Sequence, residues 1–112
     1  MIVITTPDIQ GRTITAYLGI VSGDAVLGGA AVGDRVAELL DVIGGRTAAY
    51  ERALAEARRL ALEAMEEHAH DLGADAVLAV RLESRLAGAE PRPLAMVSAS
   101  GTAVKLSPLA AR

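Results

Sequence analysis

The sequence predicts an α+β fold, from three observations: stretches of period-two alternation near both ends, one uninterrupted run of helix-forming residues between them, and Gly or Pro at the junctions. With 112 residues the chain has the length of one ordinary domain, so a single domain over 1–112 is expected. The expected architecture is an antiparallel sheet of at least three strands, with one long helix across one face and a second short helix before it.

Each element follows from local chemistry. Met1-Ile-Val-Ile reads as a short first strand, ended by the turn residues Pro7-Asp8 and Gln10-Gly11-Arg12. From Thr13 to Val21, Ile14, Ala16, Leu18 and Ile20 alternate with Thr13, Thr15, Tyr17 and Val21, the pattern of a strand with two unlike faces. A glycine-rich passage, Gly23 to Gly33, follows. Val32, Val36, Leu39, Leu40 and Ile43 then recur at three- and four-residue spacing, as in a short helix closed by Gly44-Gly45. Thr47 is a good N-cap for the long helix, which runs without Gly or Pro from Ala48 to Leu72 before Gly73 stops it. Its apolar stripe reads as Tyr50, Leu54, Ala57, Ala61, Ala64, Met65, His68 and Leu72. Arg52, Glu56, Arg59, Glu63, Glu66 and His70 lie opposite, spaced for weak surface ion pairs.

Two more strands complete the pattern. In Ala76 to Leu86 apolar residues alternate with Arg81, Glu83 and Arg85, and Ala87 to Pro93 makes the hairpin connection. Leu94 to Leu106 carries a small face (Val97, Ala99, Gly101, Ala103) and a hydroxyl face (Ser98, Ser100, Thr102). The sheet face away from the helix, read as Thr15, Tyr17, Val21, Val77, Met96, Ser98, Ser100 and Val104, is neither a core nor a charged solvent face. Such a mixture suits a contact between subunits, so an obligate homo-oligomer is expected.

Composition excludes several classes of function. The chain has 11 basic and 14 acidic residues and a net charge of −3, without the basic footprint of a nucleic-acid binder. Two Tyr and no Phe or Trp leave little to stack on a base. Uncharged stretches such as Ala25 to Gly33, about half of what a bilayer span needs, are too short to cross a membrane, and the first residues lack the basic and apolar regions of a secretory signal. A cytoplasmic protein without membrane or nucleic-acid partners is expected. There is no Cys, which removes disulfides, thiolate metal sites and Cys nucleophiles.

Candidate binding residues are few. Gly44, Gly45, Arg46 and Thr47 bring flexible backbone, a guanidinium and a hydroxyl to the start of a long helix, where free N–H groups favour an anion; an ordinary helix start explains the same residues. His68 and His70 diverge on a helix by about 200° and cannot chelate one ion. His68 reads as a core histidine with a satisfied ring nitrogen. Glu66 and His70 share a face at i,i+4 and form a weak candidate for a borderline divalent metal. Gly23 to Gly29 lacks the Lys and Ser/Thr of a phosphate-binding loop, and Gly28 to Gly33 has Ala30 where a dinucleotide fingerprint needs Gly. No Ser sits in a nucleophile elbow, so an enzyme is not expected and no cofactor is indicated.

Thr5-Thr-Pro7, Val21-Ser-Gly-Asp-Ala-Val-Leu-Gly28, Gly44-Gly-Arg-Thr-Ala-Ala-Tyr-Glu51, Leu72-Gly-Ala-Asp-Ala-Val77 and Met96-Val-Ser-Ala-Ser-Gly-Thr-Ala-Val-Lys105 together resemble the YbjQ-like family of small bacterial proteins. The match covers nearly the whole chain, in order. Asp24 stands where the family pattern has Glu, and Thr47 where it has Ser; both exchanges keep the chemistry. The resemblance implies a β-α-β-β core of the dodecin-like kind and a ring-shaped homopentamer. It also brings the family label "putative heavy-metal binding", which implies no established activity. Two functions are expected: a non-catalytic module binding a small anion or divalent cation within a ring, or a structural protein whose ring presents a surface to a larger partner.

Overall fold

The computed structural model describes residues 1–28, 46–87 and 94–108. In chain order the elements are β1 (Ile2–Val3), β2 (Ile14–Gly28), α1 (Arg46–Asp71), β3 (Ala76–Ala87) and β4 (Leu94–Leu106). The expected short helix over residues 32–43 and the connection after Ala87 lie outside the described residues. The strands form one sheet in the order β1-β3-β4-β2. Pairing is antiparallel between β3 and β4 and between β4 and β2, but β1 runs parallel to β3. The sheet is therefore mixed, where a wholly antiparallel one was expected. A two-residue strand carries too little pattern to fix its direction; the next residue, Ile4, anchors it, with its amide donating to Val77 O at 3.0 Å and its carbonyl accepting from the Val80 amide at 3.1 Å.

The helix packs on one face of the sheet through a stripe of small residues. Ala57, Ala61, Met65 and Ala69 are buried at four-residue spacing, with Ala53, Leu54 and Leu62 beside them. Ala69 thus takes the place expected for His68, and Leu72 lies exposed at the end. Small side chains allow close approach, and the closest is at Gly23 of β2. A Cβ there would lie 2.2 Å from Ala61 O and 2.4 Å from Met65 N, so the helix backbone rests directly on the strand.

Three irregularities decide which residues face the helix. The first is a register shift between Ile14 and Ala16 of β2, beyond which Leu18 packs on the helix side while Ile14 packs on the other. In β2 the register shifts again between Tyr17 and Gly19, and Gly19 has φ +116°. Side-chain parity flips there. Val21 and Gly23 then turn inward, while Ile20, expected on the apolar face, is 79% exposed. In β3 the register shifts between Leu78 and Arg81, around Ala79 with φ +53°. Val77 and Val80 consequently share the helix side, in one core cluster. Gly101 of β4 lies against both, where a Cβ would meet Val77 Cγ1 at 2.6 Å and Val80 Cγ2 at 3.2 Å.

A second, smaller cluster lies on the other face, at one end of the sheet. Ala76, Leu78, Val104 and Leu106 are buried there beneath Ile2, Ile4, Ile9 and Ile14. Val21 and Val77, expected on this face, belong to the helix side instead, and Val104 is core rather than surface. Polar ties lock the same end: Asp75 Oδ2 accepts from the Leu106 amide at 2.8 Å, and Ser107 O accepts from Arg12 Nε at 2.9 Å. The helix ends nearby in a Schellman motif, with the Gly73 amide donating to His70 O at 2.9 Å and the Ala74 amide to Ala69 O at 3.0 Å. Gly73 supplies the required positive φ of +77°.

Candidate functional site

Beyond the second cluster, the face of the sheet away from α1 is open among the described residues. Strand register sets its chemistry, because residues paired across an antiparallel ladder share a face. One row is Arg81, Ser100 and Ser22; the next is Glu83, Ser98 and Asp24; the third is Arg85, Met96 and Val26. Glu83, Arg85, Met96 and Ser98 line a shallow concavity of about 220 Å³. Its side chains offer charge of both signs, a hydroxyl and a thioether, a set suited to binding through hydrogen bonds and charge.

The hydroxyl face of the last strand was legible as a stripe, and Ser98, Ser100 and Met96 lie where it placed them. In the sequence Asp24 stood out only within the family pattern, and Arg81, Glu83 and Arg85 only as the residues alternating with the apolar face of their strand. Their convergence with Ser98 depends on the pairing of three strands distant in sequence, for which local spacing carries no signal.

The residues singled out from the sequence lie elsewhere. Gly44 and Gly45 are outside the described residues. Arg46 opens α1, so Thr47 lies inside the first turn rather than ahead of it as a cap. Glu66 is near the C-terminal end of α1, with its Oε1 3.8 Å from the Met1 amino group. His70 is exposed in the last turn. His68, expected in the core, is also exposed, yet its ring nitrogen is satisfied: Nδ1 accepts from the Ser22 amide at 3.4 Å. On the outer face of α1, Arg59 pairs with both Glu56 and Glu63, donating through Nε to Glu56 Oε2 at 3.1 Å. Hydrogen bonding from Arg59 holds the Glu56 carboxyl below its ordinary pKa, and its positive charge acts in the same direction.

With four strands and one helix placed, the class is that of a small α+β protein whose sheet is covered by a helix on one face and left partly open on the other. The chain belongs to the YbjQ_1 family, described as "Putative heavy-metal-binding", whose model matches residues 1–107. It is also similar to the crystal structure of a protein of unknown function from Pediococcus pentosaceus, described as belonging to the DUF74 family. The two chains are 15% identical and superpose with a TM-score of 0.60 over 96% of this chain and 98% of the other. At that identity the likeness carries the fold alone.

The family description can be tested against the donors present. Soft heavy metals are held by thiolates or clustered thioethers, and the sequence has no Cys, two His and three Met, which lie apart at positions 1, 65 and 96. Among the described residues no group of three or more His, Asp or Glu side chains is placed to hold a metal ion. The donor set does not fit a soft metal. Among the described residues, also, no helix is long and apolar enough to cross a membrane.

Proposed function

We propose that this chain is a non-catalytic subunit of a homo-oligomeric ring that binds a small polar ligand. The ring is of the dodecin-like kind, with five subunits, as the family resemblance implies. The observation that carries self-association is strand β2. It is a 15-residue strand at the edge of the sheet, with Tyr17 73%, Ile20 79% and Val26 59% exposed. A long edge strand bearing apolar side chains is a template for pairing unless another chain covers it. The Cα radius of gyration supports the same reading, at 17.6 Å against about 13 Å for a compact chain of this length.

For the ligand, an anion at Gly44, Gly45, Arg46 and Thr47 is favoured over a cation at Glu66 and His70. The Met1 amino group beside Glu66 already supplies positive charge that a metal would have to displace. Size-exclusion light scattering at micromolar concentration tests the ring: the expected mass is that of five subunits, and a folded monomer refutes the reading. Native mass spectrometry of the same sample separates a ligand-binding ring from one that only presents a surface, since a species retained per subunit or per ring is expected only for the first. Calorimetry with zinc and cadmium should give no submicromolar site; one abolished by His70→Ala would reverse the choice of ligand.

A further inference from the structure

This inference rests on the ring reading and names the surfaces that form the ring. We propose that the free edge of β2, over Asp24–Gly28, adds in parallel to the Arg81–Ala87 segment of β3 of a second copy of this chain, continuing the sheet from subunit to subunit.

The two edges are complementary. Among the described residues, β1 and the chain just after it cover β3 only as far as Val80, whose amide donates to Ile4 O. On the other flank of the sheet, among the described residues, β2 pairs through β4 alone. The Ser22 amide points off that free flank, as its hydrogen bond to His68 Nδ1 shows. Backbone groups alternate along a strand, so those of Asp24 and Val26 also point outward. By the same alternation through the Ser22–Ser100 and Ser100–Arg81 pairs, the outward groups of β3 are those of Leu82 and Ser84. In a parallel ladder, a residue with outward groups bonds the two neighbours of the residue opposite it. Asp24 can therefore sit opposite Arg81 or Arg85 while bonding Leu82 or Ser84, and its side chain stays on the same open face as theirs. An antiparallel addition would set Asp24 opposite Leu82, which lies on the helix side with its partner Ala99, and would turn alternate helices to opposite faces.

Two further features fit this contact. Leu82 is 40% exposed because α1 packs mainly over β2 and β4, leaving the outer flank of β3 bare on the helix side. The next copy brings its own α1 above its β2, beside Leu82. Charge selects the register: within one subunit Asp24 is level with Glu83, so an unstaggered addition sets two carboxylates side by side. A shift of two residues sets Asp24 against Arg81 or Arg85 of the partner subunit, and a closed ring of strands requires such a stagger. Because each copy uses two different edges, the contact is head to tail, the kind that builds a ring when the rotation between neighbours closes.

The test uses the absence of native Cys. Val26→Cys with Glu83→Cys reads one register, and Ser22→Cys with Glu83→Cys reads the other. Within one chain these positions flank β4 on either side, a Cα separation of at least about 9 Å, beyond the roughly 7 Å a disulfide spans. Any bond formed on mild oxidation is thus between subunits. The expected result is a ladder of covalent species, up to the mass found by light scattering, from one of the two double variants and from none of the three single variants. Light scattering under reducing conditions first establishes that each variant still assembles. Covalent dimers from a single variant, or assembled protein that no double variant cross-links, overturn the proposed surfaces while leaving the ring standing. A monomeric wild-type chain overturns both.

Discussion

The two ends of the sheet are built differently. At the end holding β1, the strands are buried on both faces: Val77 and Ala103 lie under α1, while Ala76, Leu78 and Val104 lie under Ile4 and Ile9. At the other end, Ala95, Val97 and Ala99 are buried on the helix side, and the opposite face shows Asp24, Glu83, Arg85 and Ser98 to solvent. The first end therefore carries the stability of the chain. Among the described residues the second is covered from one side only, and it shows a polar face and strand edges with no neighbouring strand.

The two ends meet at Gly23. Adding one methyl group there drives it into helix backbone rather than into a flexible side chain. Gly23→Ala should cost about 3 kcal/mol or more, or prevent folding; a denaturant midpoint within error of the wild type would contradict the packing. Next in size is the contrast between the ends themselves. Leu78→Ala, in the doubly covered end, should cost about 2–5 kcal/mol, whereas Ser98→Ala on the open face should stay within about 0.5 kcal/mol. Equal losses in urea titrations would erase the distinction.

Much of this contrast could be read from the residues, and the part that could not has a definite cause. The bounds of β4 and the uninterrupted run of α1 follow from alternation and from the absence of Gly and Pro. The inward turn of Val21 and the outward turn of Ile20 depend on a bulge at Gly19, and the shared face of Val77 and Val80 on another at Ala79. One extra residue in a strand inverts every side chain beyond it, and alternation read along a single strand does not locate it. The open-face cluster was hidden for a related reason, since Asp24 and Glu83 meet Ser98 only through the register of β4 with two different strands.

Asp75→Ala removes the acceptor for the Leu106 amide at the stable end and should cost about 1–2 kcal/mol by chemical denaturation. Glu56→Gln should leave the Tm at pH 7 within error, because its pair with Arg59 lies on the solvent-exposed face of α1. What that pair contributes has a defined sign. The carboxyl is lowered in the folded state, so its contribution is present above the ordinary Glu pKa and disappears as pH falls through the lowered value.

The central claim is that the singly covered end is completed by another copy of the chain. Amide hydrogen exchange read by mass spectrometry, on assembled protein and on protein diluted until light scattering shows monomers, tests it most directly. In either register the outward amides of Asp24, Val26 and Ser84 are expected to be protected in the assembly and to lose that protection on dilution, while Val77 and Val104 stay protected throughout. Rapid exchange at those three amides in the assembled protein would overturn the contact.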